Sequence, residues 1–132
     1  MDNFGFRDLR VYQNSIELVK IIYLLLESFP SKEQYALSDQ LRRACVSIPS
    51  NIAEGMSRTS EKEKVHFLEI SYGSLMEVLC QIEISKELNY ITVQQFSDLE
   101  NQITLIAKQL SKLRITLNSK ANNSEANYYS KP

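Results

Sequence analysis

The sequence has no tryptophan, one histidine, two cysteines, three glycines and three prolines in 132 residues. Each scarcity excludes something. So few glycines and prolines leave few breakpoints, which favours long helices over many short strands. Gly5, Gly55 and Gly73 are isolated from one another, so no phosphate-cradling loop is present. Glu63 and His66 form the Glu-x-x-His step of helical di-iron bundles, but such a centre needs two of these steps and there is one histidine. No Ser or Cys stands at motif spacing to His66 for nucleophilic catalysis, and His66 reads as a surface side chain. Cys45 and Cys80 lack CxxC or CxxxC spacing and sit beside apolar helical positions, so both read as small buried thiols rather than a disulfide or a metal site. No enzyme activity and no cofactor are expected.

Long apolar runs are missing too. The longest, Ile21 to Leu26, is six residues, far short of a bilayer. The opening MDNFGFRDLR has no basic segment followed by an apolar one, so no secretory signal is expected and the expected location is the cytoplasm, away from membranes. There is no excess of one charge: 15 basic residues face 16 acidic ones. That excludes a globally basic nucleic-acid binder while permitting a local basic patch. The length fits one domain.

What is present is helical phase. In LRRACVSIPSNIAEG, Leu41 to Gly55, the apolar residues Leu41, Ala44, Cys45, Ile48 and Ile52 continue a phase set by Leu37 straight across Pro49. An interior proline costs a helix roughly 3 kcal/mol, so two short helices are the alternative. The unbroken phase favours one kinked helix over about 32–55, with Ser47 and Ser50 near enough to satisfy freed backbone groups and Gly55 as a left-handed exit. A first helix over about 8–28 carries Leu18, Ile22, Leu25 and Phe29, and ends at Phe29-Pro30. A third over about 61–88 carries Leu68, Tyr72, Leu75, Leu79 and Ile82. A fourth over about 93–117 carries the heptad seam Phe96, Leu99, Ile103, Ile106, Leu110, Leu113 and Leu117. Ser31 with Gln34, Ser60 with Glu63 and Thr92 with Gln95 have capping-box spacing at three helix starts. Short links then predict an all-α, antiparallel up-down-up-down four-helix bundle over 1–118. The Asn- and Ser-rich tail, 119–132, has no apolar period and reads as disordered.

Two polar groupings are the candidate sites. Arg42, Arg43, Ser47, Asn51 and Glu54 flank the apolar face of the second helix, and Ser74 and Glu77 form a matching stripe on the third. The expectation is that the stripes meet, with Arg42 or Arg43 paired to Glu77 and Gly73 allowing close approach; a binding site is the alternative. Lys108, Lys112, Arg114 and Lys120 cluster with no acid between Glu100 and Glu125. Cations near a helix C-terminus account for the cluster, and a phosphate-contacting patch is the functional reading. On a near-neutral chain such a patch would bind RNA or DNA weakly and salt-sensitively.

The segments FRDLRVYQNSIELV (Phe6–Val19), FPSKEQYALSDQLRRACVSIPSNIAEG (Phe29–Gly55) and FLEISYGSLMEV (Phe67–Val78) resemble the four-helix bundle proteins encoded in intervening sequences of bacterial 23S ribosomal RNA genes. The SIPSNIAEG core is the most specific part of that likeness. Tyr12 stands where the family often has tryptophan, and Cys45 where alanine is common. The resemblance implies a bundle that assembles into a ring, typically a homopentamer, without known enzyme activity. The family is also similar to the accessory variability determinant of diversity-generating retroelements, which implies nucleic acid or a nucleic-acid enzyme as partner. A surplus of apolar residues, Ile21, Leu24, Leu105 and Ile115, independently favours self-association. A structural protein-protein module with no nucleic-acid role is the alternative.

Overall fold

The computed structural model describes residues 4–130, with side chains through residue 123. It contains four helices: α1 (Arg10–Leu26), α2 (Leu37–Met56), α3 (Glu61–Glu87) and α4 (Val93–Ser130). Short 3-10 turns at Gly5–Asp8 and Ser31–Glu33 precede α1 and α2. The links over 57–60 and 88–92 are too short to cross the bundle, so successive helices run antiparallel. Each helix packs chiefly on the two beside it.

The core follows the apolar phase. Leu18 and Ile22 of α1, Leu41, Ile48 and Ile52 of α2, Leu68, Leu75 and Ile82 of α3, and Ile103, Ile106 and Leu110 of α4 are fully buried. Tyr72, Leu79 and Leu113 complete the seams from partly buried positions. A second buried row on α3, absent from the seam read off the sequence, consists of Ser71, Ser74, Val78, Gln81 and Ser85. It exists because α3 packs against both α2 and α4 and so must bury two sides.

α2 runs unbroken through Pro49, which is buried. The proline cannot donate to the carbonyl of Cys45. Side chains supply the carbonyls around it: Ser50 Oγ donates to Val46 O at 2.8 Å, Asn51 Nδ2 to Ser47 O at 2.8 Å, and Ser71 Oγ of α3 to Ile48 O at 2.9 Å. The α2 start differs from expectation. Ser31 and Gln34 make no capping box; Ser31–Glu33 is a 3-10 turn, and Ala36, at φ −121° and ψ −106°, breaks the phase before Leu37. The other two boxes do cap. Glu63 N donates to Ser60 Oγ at 3.1 Å, while Thr92 and Gln95 exchange both bonds, at 2.9 and 3.0 Å.

Gly55 is not a left-handed exit, since no described glycine has positive φ and α2 continues to Met56. Its role is proximity. A Cβ at Gly55 would stand 2.7 Å from Phe67 Cβ and 3.3 Å from the Lys64 carbonyl oxygen of α3. The left-handed residue is Asn89, at φ 62°. There Tyr90 N donates to Ser85 O and Asn89 N to Lys86 O, both at 2.9 Å, closing α3 with a Schellman motif.

α4 continues to Ser130, whereas the sequence reading ends it near Leu117 and places a disordered tail over 119–132. No glycine or proline follows Leu117 before Pro132, and extending a formed helix costs far less than starting one. Tyr128, Tyr129 and their neighbours from residue 124 on have side chains outside the described set, as do Lys131 and Pro132 altogether. No described helix is long and apolar enough to cross a membrane.

Candidate functional site

The second buried row of α3 meets the polar flank of α2. Ser47 Oγ and Ser74 Oγ lie 2.8 Å apart across the two helices, either one donating. Asn51, one turn on, donates to Ser47 Oγ at 2.9 Å as well as to its carbonyl. Outward from this pair a groove of about 320 Å³ opens, lined by Gln40, Arg43, Ala44, Ser47, Ser74, Glu77 and Gln81. Gln81 is buried, and its side-chain oxygen meets no donor among the described residues.

The two stripes therefore meet, through hydroxyls instead of charges. The expected pairing of Arg42 or Arg43 with Glu77 does not form. Arg43 Nε pairs with Asp39 Oδ2 at 3.0 Å within α2, and Arg42 Nη2 donates to the Gln34 carbonyl at 2.8 Å. The spacing explains this: Asp39 is one helical turn from Arg43 on the same helix, and an exposed arginine takes the nearer carboxylate. Such an exposed pair contributes about 0.3–0.5 kcal/mol. Glu54 pairs likewise with Arg58, one turn on, and the Arg58 guanidinium stacks 4.8 Å above the Phe67 ring. Gly73 does not serve the α2–α3 approach either; a Cβ there would meet nothing within 4 Å. Ser71, whose hydroxyl reaches the carbonyl beside Pro49, was legible only as a serine in apolar phase with Leu68 and Leu75.

Chemically, the groove offers hydrogen bonds. The Ser47–Ser74 pair has no histidine near it, since His66 is exposed and lies edge-on to Phe67. Among the described residues no three His, Cys, Asp or Glu side chains converge to hold a metal ion. Burial pushes the Cys45 thiol up to about 11, and its Sγ donates to Arg42 O at 3.4 Å. It thus stays protonated and unreactive near neutral pH. Cys80, by contrast, is exposed, which corrects its reading as a buried thiol.

The basic cluster divides around α4. Lys108 and Lys112, one turn apart, are exposed on a face that also carries Ile115, beside a groove lined with Tyr72, Ala107, Ser111 and Thr116. Arg114 follows Lys112 by two residues, about 200° around the helix, and is half-buried. Lys120 is exposed at an angle between them. The helix-terminus account of the cluster also lapses. α4 ends at Ser130, and the dipole's influence fades within the last turn.

The profile of a family described as 23S rRNA-intervening sequence protein matches residues 7–112. A crystal structure of a protein with unknown function from the S23 ribosomal protein family of Bacteroides thetaiotaomicron VPI-5482 is similar, at 27% identity and a TM-score of 0.71, covering 79% of this chain and 97% of that one. No curated protein matches the chain significantly.

Proposed function

The chain belongs to the 23S rRNA-intervening sequence protein family, and from that premise we propose a non-enzymatic, self-assembling interaction module, working in the cytoplasm as a ring of identical bundles, a homopentamer. The observation that carries this reading is apolar surface left outside a bundle whose core is already filled. Leu24 is 66% exposed, Leu105 48% and Ile115 62%. Ile21, the fourth apolar residue in the surplus, packs against the core and drops out of this set. Scattered surface leucines need no explanation, but Leu24 borders grooves on both flanks of α1, in company with Val19, Tyr23 and Leu25. Size-exclusion chromatography with light scattering tests it. The expected mass is a multiple of 15.2 kDa, five-fold for the pentamer. A monomer persisting at micromolar concentration rejects the reading, and a dimer rejects the ring.

A second reading adds nucleic acid, or a nucleic-acid enzyme, as the ring's partner. It is favoured by residues 101–124, where Lys108, Lys112, Arg114 and Lys120 occur without an acid. With the four cations spread around α4, each copy contacts few phosphates, so affinity is weak per copy and falls steeply with salt. Repetition around a ring would raise avidity. A fluorescence titration with RNA across a salt series is the check. Tight, salt-indifferent binding, or binding that survives charge reversal at Lys108, Lys112 and Arg114, rejects this surface.

A further inference from the structure

We propose that the solvent face of α3 in one copy packs antiparallel against the solvent face of α4 in a second copy, joining copies head to tail. This rests on the self-assembly reading above and names the surfaces that would carry it.

Gly73 is the first reason. It lies well inside α3, where glycine weakens a helix. Gly55 has a reason to lack a Cβ, because Phe67 occupies that space; Gly73 has none within the chain, since a Cβ there would meet nothing within 4 Å. A glycine on an outer helix face with open space over it suits the close approach of another backbone.

The second reason is the row in which Gly73 stands. Ile70, Gly73, Glu77, Cys80 and Ile84 step by three and four along the outside of α3, with Ile70 39% and Ile84 44% exposed. Leu105, Lys108, Lys112 and Ile115 step the same way along the outside of α4. Rows of this spacing are what helices present to one another when they pack side by side. Both rows place apolar residues at their ends and polar or small ones between them.

Charge complementarity selects a second copy as the occupant. Between Lys64 and Lys86, α3 carries Glu69, Glu77 and Glu83 and no lysine or arginine. Between Glu100 and Glu125, α4 carries lysines and an arginine and no acid. Among the described residues, none of Glu69, Glu77, Glu83, Lys108 and Lys112 forms an ion pair within the chain. Each face bears the charge that the other lacks. Antiparallel alignment then sets Ile70 beside Ile115, Glu77 beside Lys108 and Cys80 beside Leu105, with Gly73 making room for the stem of Lys112.

The direction follows from symmetry. Rotation about an axis along the bundle keeps every helix pointing the same way, so α3 meets a neighbour's α4 in the opposite sense, as it meets its own. The contact is heterologous: each copy keeps one free face of each kind until a ring closes. Arg114 and Lys120 stay outside this contact; a ring closed this way withdraws Lys108 and Lys112 from the nucleic-acid surface of the second reading and leaves that role to these two.

The exposed Cys80 makes the register testable. In Leu105→Cys, mild oxidation should link Cys80 of one copy to the introduced thiol of the next, giving a ladder of covalent multimers on a non-reducing gel. Adding Cys80→Ser should abolish the ladder. Ile115→Cys, at the far end of the row, should give none beyond the unmodified protein. Glu77→Lys and Lys108→Glu should each remove the high-mass species in light scattering, and both changes on one chain should restore it. A monomeric unmodified protein overturns the self-assembly reading and this pairing together. An oligomer that neither cross-links through Leu105→Cys nor responds to the charge changes overturns the pairing alone. Cross-linking through Ile115→Cys instead overturns the antiparallel direction.

Discussion

Along α4 the buried row is Phe96, Leu99, Ile103, Ile106, Leu110 and Leu117, all hydrocarbon. Between α2 and α3 the buried positions include Ser71, Ser74, Gln81 and Ser85, together with the missing side chain of Gly55. The α4 seam draws its stability from area: a fully buried leucine or isoleucine contributes about 1.5–3 kcal/mol. The α2–α3 seam buries smaller side chains and gains proximity, with hydroxyls reaching across to Ile48 O and between Ser47 and Ser74. Hydrocarbon tolerates small slips between helices. A hydroxyl 2.9 Å from one carbonyl and a glycine under one phenyl ring do not. Both seams bury hydrocarbon, and the α2–α3 seam also fixes the register.

The contrast can be broken first at the apolar seam. Ile106→Ala, at a fully buried position, should cost about 2–5 kcal/mol in chemical denaturation. A loss below 1 kcal/mol would show that the α4 seam is not held by buried area. Next, Gly55→Ala should destabilise by about 1–3 kcal/mol, as expected when an added methyl group overfills a packed contact. Alanine is the better helix former, so a gain in melting temperature would mean that α2 and α3 are not held at the distance seen. Smallest, Ser71→Ala should cost about 1 kcal/mol, the net worth of one hydrogen bond. Its more telling readout is hydrogen exchange, where amides around Pro49 should open more readily while those of α4 keep their protection. Uniform loss of protection would remove the distinction between the seams.

Much of this architecture is written in spacing. The three-and-four steps from Phe96 to Leu117 and from Leu68 to Ile82 locate α3 and α4, because burial on one side of a helix leaves that period. The phase from Leu37 to Ile52 carries α2 through Pro49 for the same reason. The start of α2 was not legible: Ser31 and Gln34 have capping spacing, but the backbone at Ala36 interrupts the turn, and spacing does not encode that angle. The end of α4 was missed because loss of apolar period marks where burial stops, not where hydrogen bonding does. In the candidate site, the stripes were visible as polar residues flanking an apolar face. Their contacts were not, because long side chains such as Arg42 and Arg43 choose among several acceptors within reach, whereas Ser47 and Ser74 are too short to choose.

The Schellman turn at Asn89 and the reciprocal bonds of Thr92 and Gln95 bear on the order of events in folding. Between them they close α3 and open α4 within five residues, 88–92. Joining the ends of so short a loop costs little chain entropy, and the penalty grows with loop length. The link over 57–60 is as short, but its side-chain cap is at Ser60 alone, whereas the 88–92 link is fixed at both ends, so the α3–α4 hairpin can form with least help from the rest. α1 must find α4 across two intervening helices, and the turn before α2 has no side-chain cap to prepare it. We expect α3 and α4 to gain protection first in pulse-labelled refolding, and α1 to dock last; early protection in α1 would reverse that order.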